Sequence, residues 1–238
     1  MSDTYPTRST YDVRVKILPV DLSLPHAPEA VASALNEAGV DIGVLVNNAG
    51  AVTEGPFVDG ALDHALNLIQ VNVVALTALT RLFLPAMIAR GAGRILNVAS
   101  IAAFMPGPRL AVYAASKAYV LSLTEALAAE LKGSGVTATA LCPGLTDTAM
   151  VRTSPVGSRL PKAMVMSAKD VAGAGAAACL RGDAICVPGL ANKLLTGGAP
   201  RAPRALVRAI GGALMNDGWI RLLGAFEDLV ATTGNAKR

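Results

Sequence analysis

Aromatic residues are scarce in this 238-residue chain, at 4% of the total with a single Trp. That argues against an aromatic-rich binding surface and suits helices packed closely on a buried sheet. Histidine occurs only as His26 and His64, and cysteine only as Cys142, Cys179 and Cys186, with no C-x-x-C spacing. These counts exclude a metal site and a disulfide framework. Free thiols in a reducing cytoplasm are the expectation. Charged residues amount to 16% against 53% hydrophobic ones, with a mean hydropathy of +0.48, which excludes disorder. The formal charge of +4 comes from scattered Lys and Arg with no basic cluster between aromatics, so no nucleic-acid partner is expected.

The first ten residues, Met1 to Thr10, have no apolar core and do not read as a signal peptide. The most apolar stretch, Leu66 to Ala89, is interrupted by Asn67, Gln70, Asn72 and Arg81. It reads as a buried amphipathic helix rather than a membrane span. A soluble, cytoplasmic protein follows.

What is present is an alternation. Val13 to Leu18 reads as a strand, and Pro28 followed by Val31, Leu35 and Ala38 reads as a short helix. Ile42 to Val46 is a short apolar run of the kind buried on both faces of a sheet. A long helix is predicted from about Leu62 to about Arg90, bent near Pro85. Strand Gly93 to Ala99, helix Val112 to Lys132 and strand Val136 to Cys142 follow. A helix beginning near Lys169 and strand Ala184 to Val187 complete the series. Such alternation implies right-handed crossovers and a mostly parallel sheet. The expected organisation is a polar leader over 1–12, an α/β domain over 13–189 and a basic helical extension over 190–238. In the extension, apolar Leu206, Ile210 and Leu214 recur at helical spacing, and a helix packed on the domain is favoured over membrane contact. Ala149 to Ser167, with Pro residues and Met150, Met164 and Met166, reads as an irregular loop.

Ligands collect at the carboxyl ends of parallel strands, and each predicted strand end here carries a polar or glycine-bearing cluster. These are Asp21, Asn47-Asn48-Ala49-Gly50, Ser100 and Pro143-Gly144. One helix begins with Tyr113-Ala-Ala-Ser-Lys117, whose Tyr and Lys share a face. A nearby ammonium favours phenolate, so Tyr113 is expected to have a lowered pKa and to serve as general acid or base.

The ordered set N-N-A-G, Asn72, Ser100, Y-x-x-x-K and P-G resembles the short-chain dehydrogenase/reductase family in its smaller form, over roughly Val13 to Gly189. The resemblance implies a Rossmann-like doubly wound sheet and an NAD(P)-dependent oxidoreductase. Such an enzyme interconverts a hydrophobic carbonyl compound and its secondary alcohol. It implies Tyr113 as proton donor or acceptor, and Lys117 as the group that lowers its pKa and holds the nicotinamide ribose. Ser100 would bind the substrate oxygen, and Asn72 would hold a water of a proton relay. Asp21 would approach the adenine, with Asn48, Ala49 and Gly50 at the adenosine ribose. Pro143, Gly144, Thr146 and Thr148 would line the nicotinamide, and the loop 149–167 would be a substrate lid. Taken alone, Asn72 reads as a cap on a neighbouring carbonyl, Ser100 as a turn residue and Asp21 as a turn residue. Arg109 reads as a solvated loop charge and His64 as a surface or dimer-contact residue.

The family opens with a strand, a T-G-x-x-x-G-x-G turn, a helix and a second strand, and no such segment precedes Val13. Gly39, Gly43 and Gly50 do not form that spacing ahead of a helix. The expected fold therefore lacks its first β-α-β unit, about 30 residues. In the strand order 3-2-1-4-5-6-7 the missing pair falls between the strands at Val13 and Ile42, leaving an apolar edge. The residues that choose NAD or NADP are not among those read. The alternative is a non-catalytic member acting as a dimerisation or interaction protein. Either way, the helices 62–90 and 112–132 resemble the pair through which the family forms homodimers and homotetramers.

Overall fold

A computed structural model describes residues 15–153, 165–198, 203 and 205. Four short apolar runs form one parallel sheet in the order β1-β2-β3-β6. These are β1 (Val44–Asn47), β2 (Gly93–Val98), β3 (Val136–Leu141) and β6 (Ile185–Cys186). Asn47 stands beside Asn97, and Val98 beside Leu141, so the strand ends are level with one another.

The crossovers are helices, as the alternation predicts: α2 (Leu62–Ile69), α3 (Leu76–Arg90), α4 (Ala111–Glu130) and α6 (Ala168–Arg181). Adjacent side chains on β2 show why helices cover both faces. Ile95 packs with Met87, Leu131, Val136 and Ala138 on the α3–α4 side. Leu96 packs with Leu141, Val171 and Cys179 on the α6 side. On that side α6 lies very near β3, since a methyl at Gly175 would come within 2.6 Å of Leu141 Cδ2. The helix ends follow from their residues. Ser167 caps α6 by accepting from the Asp170 amide at 3.0 Å, and Gly91 closes α3 in the left-handed conformation at φ 66°.

Three expectations need correction. Residues 15–20 are not a strand: Val15 is 62% and Ile17 82% exposed, and no ladder partner flanks them among the described residues. A strand without a neighbour gains neither cross-strand hydrogen bonds nor packing, which is the physical reason the alternating pattern fails here. Val13 and Arg14 lie outside the described residues. The short helix α1 (Ala27–Glu37) does form, and it packs on α3.

The long helix runs unbroken through Pro85, but its departure from α geometry comes earlier, as a π turn over Gln70–Ala75. Residues 149–167 are not wholly irregular. They contain α5 (Ala149–Thr153), while β4 (Thr146–Asp147) pairs in parallel with β5 (Met166–Ser167). Residues 154–164, Met164 among them, lie outside the described residues. So does most of the predicted tail, of which α7 (Leu190–Gly198) is described and packs on the domain through Asn192 and Thr196.

The helical stretch Leu62–Arg90 is long and apolar enough to cross a membrane by composition alone. One side of it lies in the core, with Leu68, Ala75 and Met87 enclosed and polar Asn72 and Thr80 paired within the protein, while Leu62, Leu66, Val74, Leu82 and Ile88 are exposed. Among the described residues β1 is an edge of the sheet, and its Val44 and Val46, on the same face as Leu96, stand about half exposed (50% and 51%). The expected apolar edge is therefore present.

Candidate active site

Because β1, β2 and β3 are parallel and level, the residues following each emerge at the same rim of the sheet. Asn48-Ala49-Gly50 follows β1, Ala99-Ser100 follows β2, and Cys142-Pro143-Gly144 follows β3. The rim is laced together by backbone. The Ile101 amide donates to Pro143 O at 2.9 Å and the Ala99 amide to Leu141 O at 2.7 Å. Ser100 is extended and caps a short 3-10 turn, accepting from the Ala102 amide at 3.1 Å. Its side chain also neighbours the Tyr113 phenol, on whose pKa it exerts a downward pull. The turn-residue reading of Ser100 is satisfied by this cap.

Tyr113 and Lys117 sit one turn apart on α4, and the Lys117 Nζ lies over the Tyr113 ring at 5.8 Å from its centroid. Lys117 is only 4% exposed and donates to Val98 O, at the end of β2, at 2.7 Å. Ser100, Tyr113 and Lys117 therefore converge as the sequence implies. Their proton affinities do not follow the expected pattern. Burial pushes the Tyr113 phenol above its usual range, against a smaller downward pull from Ser100. Burial also pulls the Lys117 ammonium down to about 8. The expected lowering of the tyrosine pKa is absent because both groups are desolvated together and the ammonium spends a hydrogen on a carbonyl, not on the phenol. At neutral pH the site holds a protonated phenol beside a mostly protonated amine, the state suited to donating a proton.

Asn72 is 1% exposed and fully engaged. Its Oδ1 accepts from the Ala51 amide at 2.8 Å, and its Nδ2 donates to Ala51 O at 2.9 Å and to Ser116 Oγ at 3.0 Å. With both amide hydrogens committed, its side chain braces the loop after β1 and has none left for a water. Gly50 lies alongside. A methyl there would meet Asn72 Oδ1 at 3.4 Å and Lys117 Nζ at 3.5 Å, so the glycine leaves the strip beside Lys117 bare. That cradle, next to an amine with donors to spare, fits the hydroxyls of a ribose.

The remaining predicted residues are placed as follows. Asn48 and Ala49 are exposed on the rim, and Pro143 is half-buried within it. Thr146 Oγ1 donates to Gly144 O at 3.1 Å, and Thr148 caps α5 by accepting from the Val151 amide at 3.5 Å. Asp21 is exposed in a turn before α1, and its carboxylate, held below its usual pKa, accepts from the Ser23 amide at 2.9 Å. His64 is on the surface of α2. Arg109 is exposed at φ 66°, with its carbonyl accepting from the Gly55 amide at 2.9 Å.

Three features escaped sequence reasoning. A buried polar chain crosses the base of the site: Asn47 Nδ2 donates to Thr80 Oγ1 at 3.0 Å and to Asn97 Oδ1 at 2.8 Å, and Asn97 Nδ2 to Thr124 Oγ1 at 2.9 Å. A polar Asn97 inside an otherwise apolar strand was the available signal. Ser116 was passed over as a spacer between Tyr113 and Lys117. Asn192 of α7 packs against Gly144, where a methyl would come within 2.6 Å of it, and donates to Pro188 O at 2.8 Å. No sequence pattern marked it.

A sequence model of the short chain dehydrogenases matches residues 7–157. The chain belongs to the short-chain dehydrogenase family. It is 37% identical over 127 residues to the ketoacyl reductase HetN of Nostoc sp., covering 53% of this chain and 44% of that protein. It is 34% identical over 149 residues to a very-long-chain 3-oxoacyl-CoA reductase of Mus musculus, covering 61% of this chain and 47% of that one. The chain thus spans about half the length of these relatives. Among solved structures, a short-chain dehydrogenase from Sphingobium yanoikuyae in complex with NADPH superposes with a TM-score of 0.71 at 32% identity. That superposition covers 82% of this chain and 76% of the other. This short-chain dehydrogenase accordingly has the Rossmann-like parallel α/β fold of its family, with the Ser, Tyr and Lys of the motif assembled at one rim.

Proposed function

We propose that this short-chain dehydrogenase is an NAD(P)-dependent oxidoreductase that interconverts a hydrophobic carbonyl compound and its secondary alcohol. The observation that carries this reading is the convergence of Ser100, the Tyr113 phenol and the Lys117 ammonium on one rim of the sheet. A bound nicotinamide supplies or accepts the hydride. Ser100 orients the substrate oxygen, and the Tyr113 phenol, protonated at neutral pH, delivers a proton to that oxygen during reduction. Lys117 and the bare strip at Gly50 hold the ribose, with Pro143, Gly144, Thr146 and Thr148 facing the nicotinamide and Asn48 and Ala49 the adenosine side. The oxoacyl reductases among the relatives favour an apolar carbonyl substrate, and neighbours solved with NADPH and with NADH support either nicotinamide as the cofactor. Free cysteines at 142, 179 and 186 support a cytoplasmic setting.

Titrating NADPH and NADH while following nicotinamide fluorescence, then adding a panel of alkyl and aryl ketones, tests the reading. Saturable binding of one cofactor and ketone-dependent loss of nicotinamide absorbance are expected. Neither cofactor saturating at millimolar concentration would sink the enzymatic reading and leave the non-catalytic interaction protein.

A homodimer or homotetramer is the second part of the proposal. Phe57, Leu62 and Leu66 stand 75%, 70% and 53% exposed, beside a groove lined by Ile69 of α2, Val73 of the π turn, and Val112 and Tyr119 of α4. An apolar strip of this kind marks an interface. Sedimentation should give a multiple of the chain mass, shifted toward the single chain by Leu66→Asp. A wild-type chain sedimenting alone at micromolar concentration removes this part.

A further inference from the structure

We infer that Ser116 is a positioning residue that locks the cofactor-side loop to the helix carrying Tyr113 and Lys117. The inference rests on the oxidoreductase reading for its catalytic meaning and on hydrogen-bond geometry for its substance. Ser116 is 3% exposed and its single hydroxyl is used twice. Its Oγ donates to Tyr113 O at 2.7 Å and accepts from Asn72 Nδ2 at 3.0 Å. Asn72 in turn holds both backbone groups of Ala51, at 2.8 and 2.9 Å. The result is one continuous run of polar contacts from the loop after β1, through the π turn, to the turn of α4 that presents the phenol.

Every polar atom in that run has a partner, and the partner supply is just sufficient. An Asn amide has two hydrogens: Ala51 O takes one and Ser116 Oγ takes the other. Without the hydroxyl, a buried N–H has no acceptor, and the cheapest relief is for Asn72 to turn away and release Ala51. Gly50 is the residue before Ala51, and it lies 3.5 Å, measured from its would-be methyl, from the ammonium of Lys117. Loosening Ala51 therefore widens the strip beside Lys117 and changes where a ribose rests relative to the phenol. A displacement of about 1 Å at a reacting centre costs on the order of 100-fold in rate. The hydroxyl touches no reacting atom itself. It acts through Asn72 and through the Tyr113 carbonyl.

The test compares wild type, Ser116→Ala and Ser116→Thr, the last of which keeps the hydroxyl able to bond a carbonyl one turn back. By nuclear magnetic resonance, the Asn72 side-chain amide, assigned with Asn72→Asp, should exchange slowly in wild type. In Ser116→Ala it should exchange at least about 10-fold faster, while the backbone amides of β2 and β3 keep their protection. In ketone reduction at saturating NADPH, Ser116→Ala should lose about 10- to 100-fold in kcat, and Ser116→Thr should recover most of it. Unchanged exchange of the Asn72 amide in Ser116→Ala overturns the inference, as does a rate loss that merely parallels a general loss of protection. A wild-type chain without NADPH-dependent turnover would sink the oxidoreductase reading instead, and the exchange comparison would then decide the role of Ser116 by itself.

Discussion

Replacing Tyr113 with Phe should cut ketone reduction by about 100- to 10,000-fold, the usual worth of a positioned proton donor. The same variant should bind NADPH with little change and melt within a few degrees of wild type. The substitution removes one oxygen and keeps the ring against which Lys117 lies. Its structural cost is small, since the Ser100 hydroxyl keeps the Ala102 amide as its partner. A loss of rate without a loss of fold is the signature of chemistry carried by the phenol. Turnover within about threefold of wild type would remove Tyr113 from the mechanism.

The second large effect concerns stability, and it comes from Lys117. Its folded pKa of about 8 lies below the unfolded value of 10.5. The unfolded chain therefore binds this proton more tightly, and below about pH 8 folding must desolvate a charged amine. A gap of that size corresponds to a cost of about 3 kcal/mol at neutral pH. The cost fades as pH rises from about 8 to 10.5, so this group makes the wild type more stable across that window. Tyr113, with its pKa raised in the folded state, pulls stability down above about pH 10.

Lys117→Met keeps the length of the side chain and removes the charge. The variant should be more stable than wild type at pH 7 by about 1 to 3 kcal/mol, the lower figure allowing for the lost bond to Val98 O. It should also lose the rise between pH 8 and 10.5 and be catalytically dead. Urea denaturation across that pH range checks the claim. A variant less stable than wild type at neutral pH, with the wild-type pH profile retained, contradicts it. The wild-type enzyme should also slow as pH passes about 8 and its ammonium empties.

The fold was legible where a segment carries its own signal and has a neighbour to pair with. Ile42 to Val46 reads as a strand because it is apolar on both faces and Val136 to Cys142 because the strand–helix alternation repeats, and both supply strands of the sheet. Val15 to Leu18 carries an equally good local pattern and fails, because β-structure is decided by cross-strand partners that a single segment does not encode. Likewise Pro85 drew attention to the wrong point of the long helix. A π turn is one extra residue in the ladder, and no residue type announces it.

At the site, Ser100, Tyr113 and Lys117 were readable because their spacing alone puts them on adjacent elements. The direction of the Tyr113 pKa shift was not readable, since the spacing reveals the nearby cation but not the shared burial that outweighs it. Asn72 was readable as a site residue, and its partner was not. Ser116 takes its meaning from a contact 44 positions away.

The short parallel pair β4–β5 has a bearing on how such a scaffold diversifies. Thr146 stands opposite Met166 and Asp147 opposite Ser167, so both ends of the intervening stretch are fastened at one point, immediately beyond Pro143 and Gly144. With its ends already joined, lengthening or shortening that stretch costs little entropy, about 0.6 kcal/mol for each doubling. The stretch between the two strands can therefore change in length at little cost while Ser100, Tyr113 and Lys117, held on other elements, keep their places.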